Sequence, residues 1–342
     1  MENVRIVLYG VGAMGARIAN FLLKKGGVEI VGAIDIDKGK VGKDIGEILG
    51  TGQQLGIKVS NNPDAVFSKV NADVVVHSTT SFLKQTYPQI VTVIKHGVNV
   101  VSTCEELSYP YATEPELAEK LDKLAREYSV TVLGTGINPG FLMDTLVITL
   151  TSVCQEIEHI KATRVMNAAT RRVPFQKKIG AGLTVNEFKE RIETKTIIGH
   201  VGLIQSIAMI ANALKWKLDK IEADPVEPVI AETHAASEAV KVGPGQVAGL
   251  KQRARGIVEE KEVISLDFQA YVGAKEEYDA IIIKGVPNIH EKIAPCIHGD
   301  SGTVAIVVNL IPTVMNAMPG LVTMKDLSVL SAALGDMRDH FG

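Results

Sequence analysis

The first 134 residues alternate between short apolar runs and amphipathic stretches. Val4–Tyr9 is an apolar run of strand length, and Met14–Lys25 carries Ile18, Phe21 and Leu22 at helical spacing before Gly26 and Gly27. The alternation continues through strand Glu29–Asp35, strand Ala72–His77, helix Gln85–His96, strand Asn99–Ser102, helix Glu114–Tyr128 and strand Thr131–Gly134. Unbroken apolar runs are strands covered on both faces, and the helices between them are crossovers. The pattern therefore predicts an α/β fold, a Rossmann-type doubly wound parallel sheet.

The pattern changes after Gly140. Leu142–Val153, almost free of charge, predicts a buried helix, and Val201–Leu214 a second apolar helix. His159–Val165, Val258–Val272 and Ala280–Ile283 predict longer strands, so a second, α+β domain with a mixed or antiparallel sheet is expected. Gly243-Pro-Gly245 is the most linker-like stretch, and Val304–Leu310 and Leu327–Leu334 read as apolar helices. The expected organisation is a dinucleotide-binding domain over 1–141, a substrate and dimerisation domain over 142–302, and a segment 303–342 docking back onto the first.

Composition narrows the classes. Of 342 residues 46% are hydrophobic and 22% charged, with a net charge of −3 and only 5% aromatic residues. That argues against a nucleic-acid or anionic-membrane partner. Cys104, Cys154 and Cys296 are odd in number and far apart, which excludes a thiolate zinc site and fits a reducing cytoplasm. No apolar stretch approaches the roughly 20 residues of a membrane span, and no histidine spacing suggests a metal.

The chemistry begins at Gly10-Val-Gly-Ala-Met-Gly15, a G-x-G-x-x-G run between a predicted strand and helix. Its glycines permit the tight turn, the approach of a pyrophosphate and close helix–strand packing. Val11, Ala13 and Met14 lend backbone N–H groups at the helix start. Asp35, 20 residues on, stands where an acid accepts from an adenine ribose and favours NAD, while Lys38 and Lys40 leave NADP open. Ser78, Thr79 and Thr80 follow another strand end, within reach of ribose or phosphate; His77 before them fits a satisfied core histidine. At the next strand end Cys104 is a further cofactor contact, and Glu105 and Glu106 are candidate proton carriers, Glu105 the nearer to the strand. Gly134–Phe141 offers a tight turn with Asn138 as a nicotinamide or substrate contact. In the second domain Arg164, Arg171 and Arg172 could hold a carboxylate, since guanidinium matches it as a bidentate fork, Asn167 could accept from an ammonium, and His200 could cap the following apolar helix or add a contact from its start.

Taken together, Gly10–Gly15, Thr103–Glu106, Gly136–Gly140, Arg171–Gly182 and Gly199–Gly202 resemble the 2,4-diaminopentanoate dehydrogenase family, within the dihydrodipicolinate reductase-like group. The resemblance covers essentially the whole chain. It implies NAD(P)-dependent oxidative deamination of the substrate's C4 amine to 2-amino-4-oxopentanoate and ammonia, in ornithine breakdown, by a homodimer, with the acid in the Cys104–Glu106 region. The reductases' double-histidine motif and D-A-P-S-G-T-type loop are absent. An imine reductase and a non-catalytic nucleotide sensor are the alternatives; a sensor needs neither the Glu105–Glu106 pair nor the basic loop of Arg171, Arg172, Lys177 and Lys178.

Overall fold

The structure, a computed structural model, describes residues 2–341. It divides into two compact units, Met1–Phe141 with Gly299–Gly342, and Leu142–His298.

The first unit is built on six parallel strands. β1 (Val4–Tyr9), β2 (Val28–Ile34), β3 (Val74–His77), β4 (Asn99–Ser102) and β5 (Thr131–Gly134) lie in the order β2-β1-β3-β4-β5, and Gly320–Val322 adds a sixth strand beside β5. Val7, Val75, Val100 and Val132 pack under Ile90, Val93 and Ile94 of helix Leu83–Lys95 and Leu121 of helix Pro115–Glu127. Each fully buried aliphatic side chain contributes about 1.5–3 kcal/mol. On the other face α1 (Ala13–Leu22) packs against helix Gly299–Asn309. The chain leaves β1 for β2 on one side and returns for β3 on the other, so the order reverses between β1 and β3. Ligands of open α/β sheets bind beyond the strand ends at such a point.

Register sharpens that placement. Ile34, Tyr9, His77, Ser102 and Gly134 lie side by side as one row across the sheet. Asp35, Gly10, Ser78, Thr103 and Thr135 come one step beyond it.

The second unit holds a seven-stranded mixed sheet. Its main path runs Ile289–Ile293, Tyr278–Val286, Glu156–Asn167, Lys261–Tyr271, Val247–Val258 and Lys220–Ala223, with Glu227–Ile230 also paired to Val247–Val258. Glu156–Asn167 and Lys261–Tyr271 run parallel, and the other pairs are antiparallel. Helix Leu203–Ala213 covers one face.

Several expected elements are corrected. Val258–Val272 is half of a hairpin, with Glu259 and Glu260 forming the two-residue turn at φ 47° and 64°. Such turns usually carry Asn or Gly, so Glu-Glu hid it. The helix expected over Leu142–Val153 is Thr145–Thr151, because Asp144 Oδ1 accepts the Thr145 N–H at 2.6 Å and starts it there. Gly243–Gly245 is a turn inside the second unit rather than a linker. Leu327–Leu334 is not helical: the Asn309 side chain accepts from Ala333 N–H and Lys25 Nζ reaches Ala333 O, so Ala333 finds its backbone partners outside a helix.

Candidate active site

The glycine loop is held from below. Gly10 has φ +94°, its N–H donates to Ile34 O at 2.8 Å, and its carbonyl accepts from Ser78 Oγ at 2.9 Å. A Cβ on Gly10 would lie 2.4 Å from Ser78 O, and one on Gly15 2.0 Å from Gly10 O. A Cβ on Gly12 would meet nothing within 4 Å. Two glycines thus serve the fold, and the third keeps open space above the loop. Gly12 caps α1 without a side-chain bond, and the first turn carries no acid. The helix end therefore keeps its positive dipole and its orphan donors on Ala13, Met14 and Gly15, which suits a dinucleotide pyrophosphate.

Asp35 stands directly beyond β2, and its carboxylate is already well supplied with donors. Oδ2 accepts from Val11 N–H at 2.8 Å and Lys40 Nζ at 3.1 Å, and Oδ1 from Asp37 N–H at 2.9 Å. Burial pushes its pKa up, but these bonds outweigh it and hold the group below the usual carboxylate range. Lys40 also reaches Asp37, at 3.4 Å, so one lysine bridges two acids at this edge.

The three hydroxyls after β3 each have a protein partner. Ser78 secures Gly10, Thr79 Oγ1 donates to Gln89 Oε1 at 2.8 Å, and Thr80 Oγ1 to Gln85 Oε1 at 2.9 Å. His77 is fully buried, and burial pushes its pKa down to about 4, so its ring is neutral.

At the end of β4 the two glutamates separate. Glu106 Oε2 accepts the Leu83 N–H at 2.7 Å, at the start of a helix whose own N-cap, Phe82, supplies no side-chain bond. Its carboxylate serves that helix terminus. Glu105 opens the 3-10 turn Glu105–Ser108, half-buried, and its carbonyl accepts from Ser108 Oγ at 2.7 Å. The turn lies so close to β5 that a Cβ on Gly134 would come within 2.3 Å of the Leu107 backbone. Cys104 is corrected as a side-chain cofactor contact: it is buried, takes a long bond from Thr86 Oγ1 at 3.6 Å, and burial pushes its thiol up to about 12. Asn138 is half-buried and precedes Pro139 through a cis bond, beside Ile137, whose N–H donates to Thr303 Oγ1 at 3.3 Å.

In the second unit Arg164 is corrected as a substrate fork. Its side chain is 1% exposed and pairs with Asp279 Oδ1 at 2.7 Å; its other Nη atom reaches Ile297 O. Asn167 Oδ1 accepts from Ala169 and Gly273 N–H at 3.0 and 3.1 Å, which makes it a turn-former. Arg171 lies over the Phe175 ring at 4.4 Å, and Arg172 is half-buried at the start of helix Val173–Lys178. Buried Gln176, absent from the sequence-based set, organises this loop: Nε2 donates to Arg171 O at 2.7 Å, and Oε1 accepts from Ser237 Oγ at 2.6 Å. His200 stacks on Phe268 at 4.2 Å. Burial, then Lys178 and Arg164, push its pKa down to about 3, so it stays neutral.

The family model described as the 2,4-diaminopentanoate dehydrogenase C-terminal domain matches residues 141–342, and that of the dihydrodipicolinate reductase N-terminus matches 4–134. A 2,4-diaminopentanoate dehydrogenase from Acetoanaerobium sticklandii is 39% identical over 345 residues, 99% of this chain and 97% of that protein. The chain belongs to the 2,4-diaminopentanoate dehydrogenase family. An amine dehydrogenase from Streptomyces virginiae is 20% identical over 351 residues, 96% of this chain and 97% of that protein. The solved structure of an amine dehydrogenase from Mycobacterium smegmatis superposes with a TM-score of 0.84 at 30% identity, covering 96% of this chain and 97% of that one.

Membership in the 2,4-diaminopentanoate dehydrogenase family makes this chain an oxidoreductase of the amine dehydrogenase kind, with an NAD(P)-binding Rossmann-type unit. Among the described residues no three His, Cys, Asp or Glu side chains gather as a metal site, and no helix is long and apolar enough to cross a membrane.

Proposed function

We propose that this chain oxidises the C4 amine of 2,4-diaminopentanoate to 2-amino-4-oxopentanoate and ammonia. The full-length match to the A. sticklandii enzyme carries the substrate assignment. The commitment of Glu106 to a helix start supports Glu105 as the acid. The open space above Gly12 and the uncapped start of α1 support a nicotinamide dinucleotide on the glycine loop.

The chemistry such a dinucleotide supplies when bound is acceptance of hydride from the amine-bearing carbon. Glu105 takes the proton from the substrate ammonium, so that a neutral amine can lose hydride. That proton passes to solvent, and the regenerated carboxylate deprotonates the water that attacks the substrate iminium, then returns this second proton to the departing nitrogen. Ala13, Met14 and Gly15 lend backbone donors, whereas the N–H expected of Val11 is committed to Asp35; Asp35 stands at the ribose, and Ser78, Thr79 and Thr80 line the same edge. Asn138 contacts nicotinamide or the substrate's second ammonium. Arg171, Arg172 and His200 hold the substrate carboxylate, His200 as a neutral donor. NAD is the preferred cofactor, with NADP accepted because Lys40 offsets Asp35. The setting is ornithine degradation in the cytoplasm, by a homodimer; three cysteines free of disulfides are consistent with that compartment.

The test is NAD(P)H formation with 2,4-diaminopentanoate in the wild type and in Glu105→Gln. Loss of the acid should lower turnover by about 10²–10⁴-fold. A wild type inert on this diamine but active on another amine overturns the substrate. Near-full turnover in Glu105→Gln overturns the acid.

A further inference from the structure

We propose that His77 is a positioning residue for the reaction: through Ser102 it fixes the backbone at Cys104, immediately before Glu105. The inference rests on the Glu105 reading above. Tyr9, His77 and Ser102 are neighbours in the last row of the sheet, and the His77 and Tyr9 rings pack at a steep angle with centroids 5.4 Å apart. A leucine could fill this place if packing were all that was required. Instead the ring has gathered three polar partners. Nδ1 lies 2.8 Å from Ser102 Oγ, Nε2 lies 2.8 Å from Gln89 Oε1, and Thr79 Oγ1 lies 3.1 Å from Nε2.

The bonding assigns each direction. Gln89 Oε1 only accepts, so Nε2 carries the ring proton and Nδ1 is the acceptor. Ser102 must then donate its hydroxyl hydrogen to Nδ1. That leaves an Oγ lone pair for the Cys104 N–H, which donates to it at 3.1 Å. A serine hydroxyl accepting from the residue two further on is a turn-former, and here it bends the chain out of β4 towards Glu105. Without His77 the hydroxyl hydrogen has no fixed acceptor, and Oγ can rotate away from Cys104. The Thr103 N–H, which donates to His77 O at 2.9 Å, and the Thr86–Cys104 contact hold the same stretch from two other directions. Glu105 is thus the next residue after a point held at backbone and side chain alike. Displacing a reacting group by about 1 Å can cost about 100-fold.

The experiment compares Ser102→Ala, His77→Leu, His77→Asn, Glu105→Gln and the double variant Ser102→Ala/Glu105→Gln in the full chain. It reads kcat, the KM of the diamine and the Kd of the dinucleotide. Ser102→Ala and His77→Leu should each lower kcat by about 10-fold or more while dinucleotide affinity holds. His77→Asn, which can place a polar atom where Nδ1 stood, should recover most of the rate. Adding Ser102→Ala to Glu105→Gln should cost nothing further on the residual turnover, because the group being positioned is gone. Full kcat in Ser102→Ala, when Glu105→Gln is impaired, overturns this proposal alone. An equal loss from Ser102→Ala with or without Glu105 also overturns it and reduces His77 to a core residue. Full turnover in Glu105→Gln overturns the Glu105 reading, and this proposal with it. Should His77→Leu fail to fold, Ser102→Ala, which removes one oxygen, decides.

Discussion

Arg164→Met is the perturbation that most directly separates fold from binding in the second unit. The native guanidinium and the Asp279 carboxylate are 2.7 Å apart, with side chains 1% and 5% exposed. Removing one partner of a buried pair costs about 3–5 kcal/mol, because the other charge is left without compensation. Asp279 keeps the Ile297 N–H at 2.9 Å, and methionine replaces most of the lost volume, so the lower end, about 3 kcal/mol, is expected. Urea unfolding of wild type and variant at pH 7 measures it, and Arg164→Met with Asp279→Leu should recover most of the loss. The sign with pH follows from burial, which pushes the Asp279 pKa up while Arg164 pulls it down. Without Arg164 the folded pKa climbs further above its unfolded value. A carboxyl raised in this way costs stability as pH rises through the interval between the two values. The variant's deficit should therefore be smallest in acid and largest at neutral pH. A wild-type urea midpoint together with a KM for the diamine raised roughly 10-fold or more would refute the reasoning and return Arg164 to substrate binding.

Gly12→Ala should unfold like the wild type yet bind NAD more weakly, since its Cβ meets no protein atom; Gly10→Ala and Gly15→Ala should lose stability, read by thermal melts and dinucleotide titration. Glu106→Gln should lower stability by about 1 kcal/mol through the weakened helix start, with kcat largely retained; a collapse in kcat would give it the role proposed for Glu105. Lys40→Ala should shift preference towards NAD, because Asp35 is then uncompensated against a 2′-phosphate, and Asp35→Ala should shift it towards NADP. An unchanged ratio of affinities in both would remove these residues from the ribose.

The alternation of apolar strands with amphipathic helices made the first unit legible, because that periodicity is imposed by burial on both faces of a parallel sheet. The glycine loop was legible for a related reason: its glycines are required at short range by sterics that any reader of the sequence can anticipate. What stayed hidden depended on partners distant in the chain. Nothing beside Glu106 shows that it caps a helix beginning at Leu83. Nothing beside Arg164 shows Asp279, 115 residues later. Thr131–Gly134 gave no sign that Gly320–Val322 would pair with it, because three residues carry too little pattern to register as a strand. Side-chain type suggested the chemistry, and long-range pairing decided which members of each candidate cluster are committed to structure.

The return of Gly299–Gly342 to the first unit also sets a timetable. During synthesis β5 emerges long before the strand that will lie beside it, and the whole second unit is made in between. At ordinary elongation rates that interval is roughly 10–40 s. Throughout it the outer edge of β5 is an open row of backbone donors and acceptors, the kind of edge that recruits other chains. The helix that packs against α1 arrives in the same late segment. A nascent chain stalled within the second unit therefore exposes that edge of β5 and should be prone to self-association.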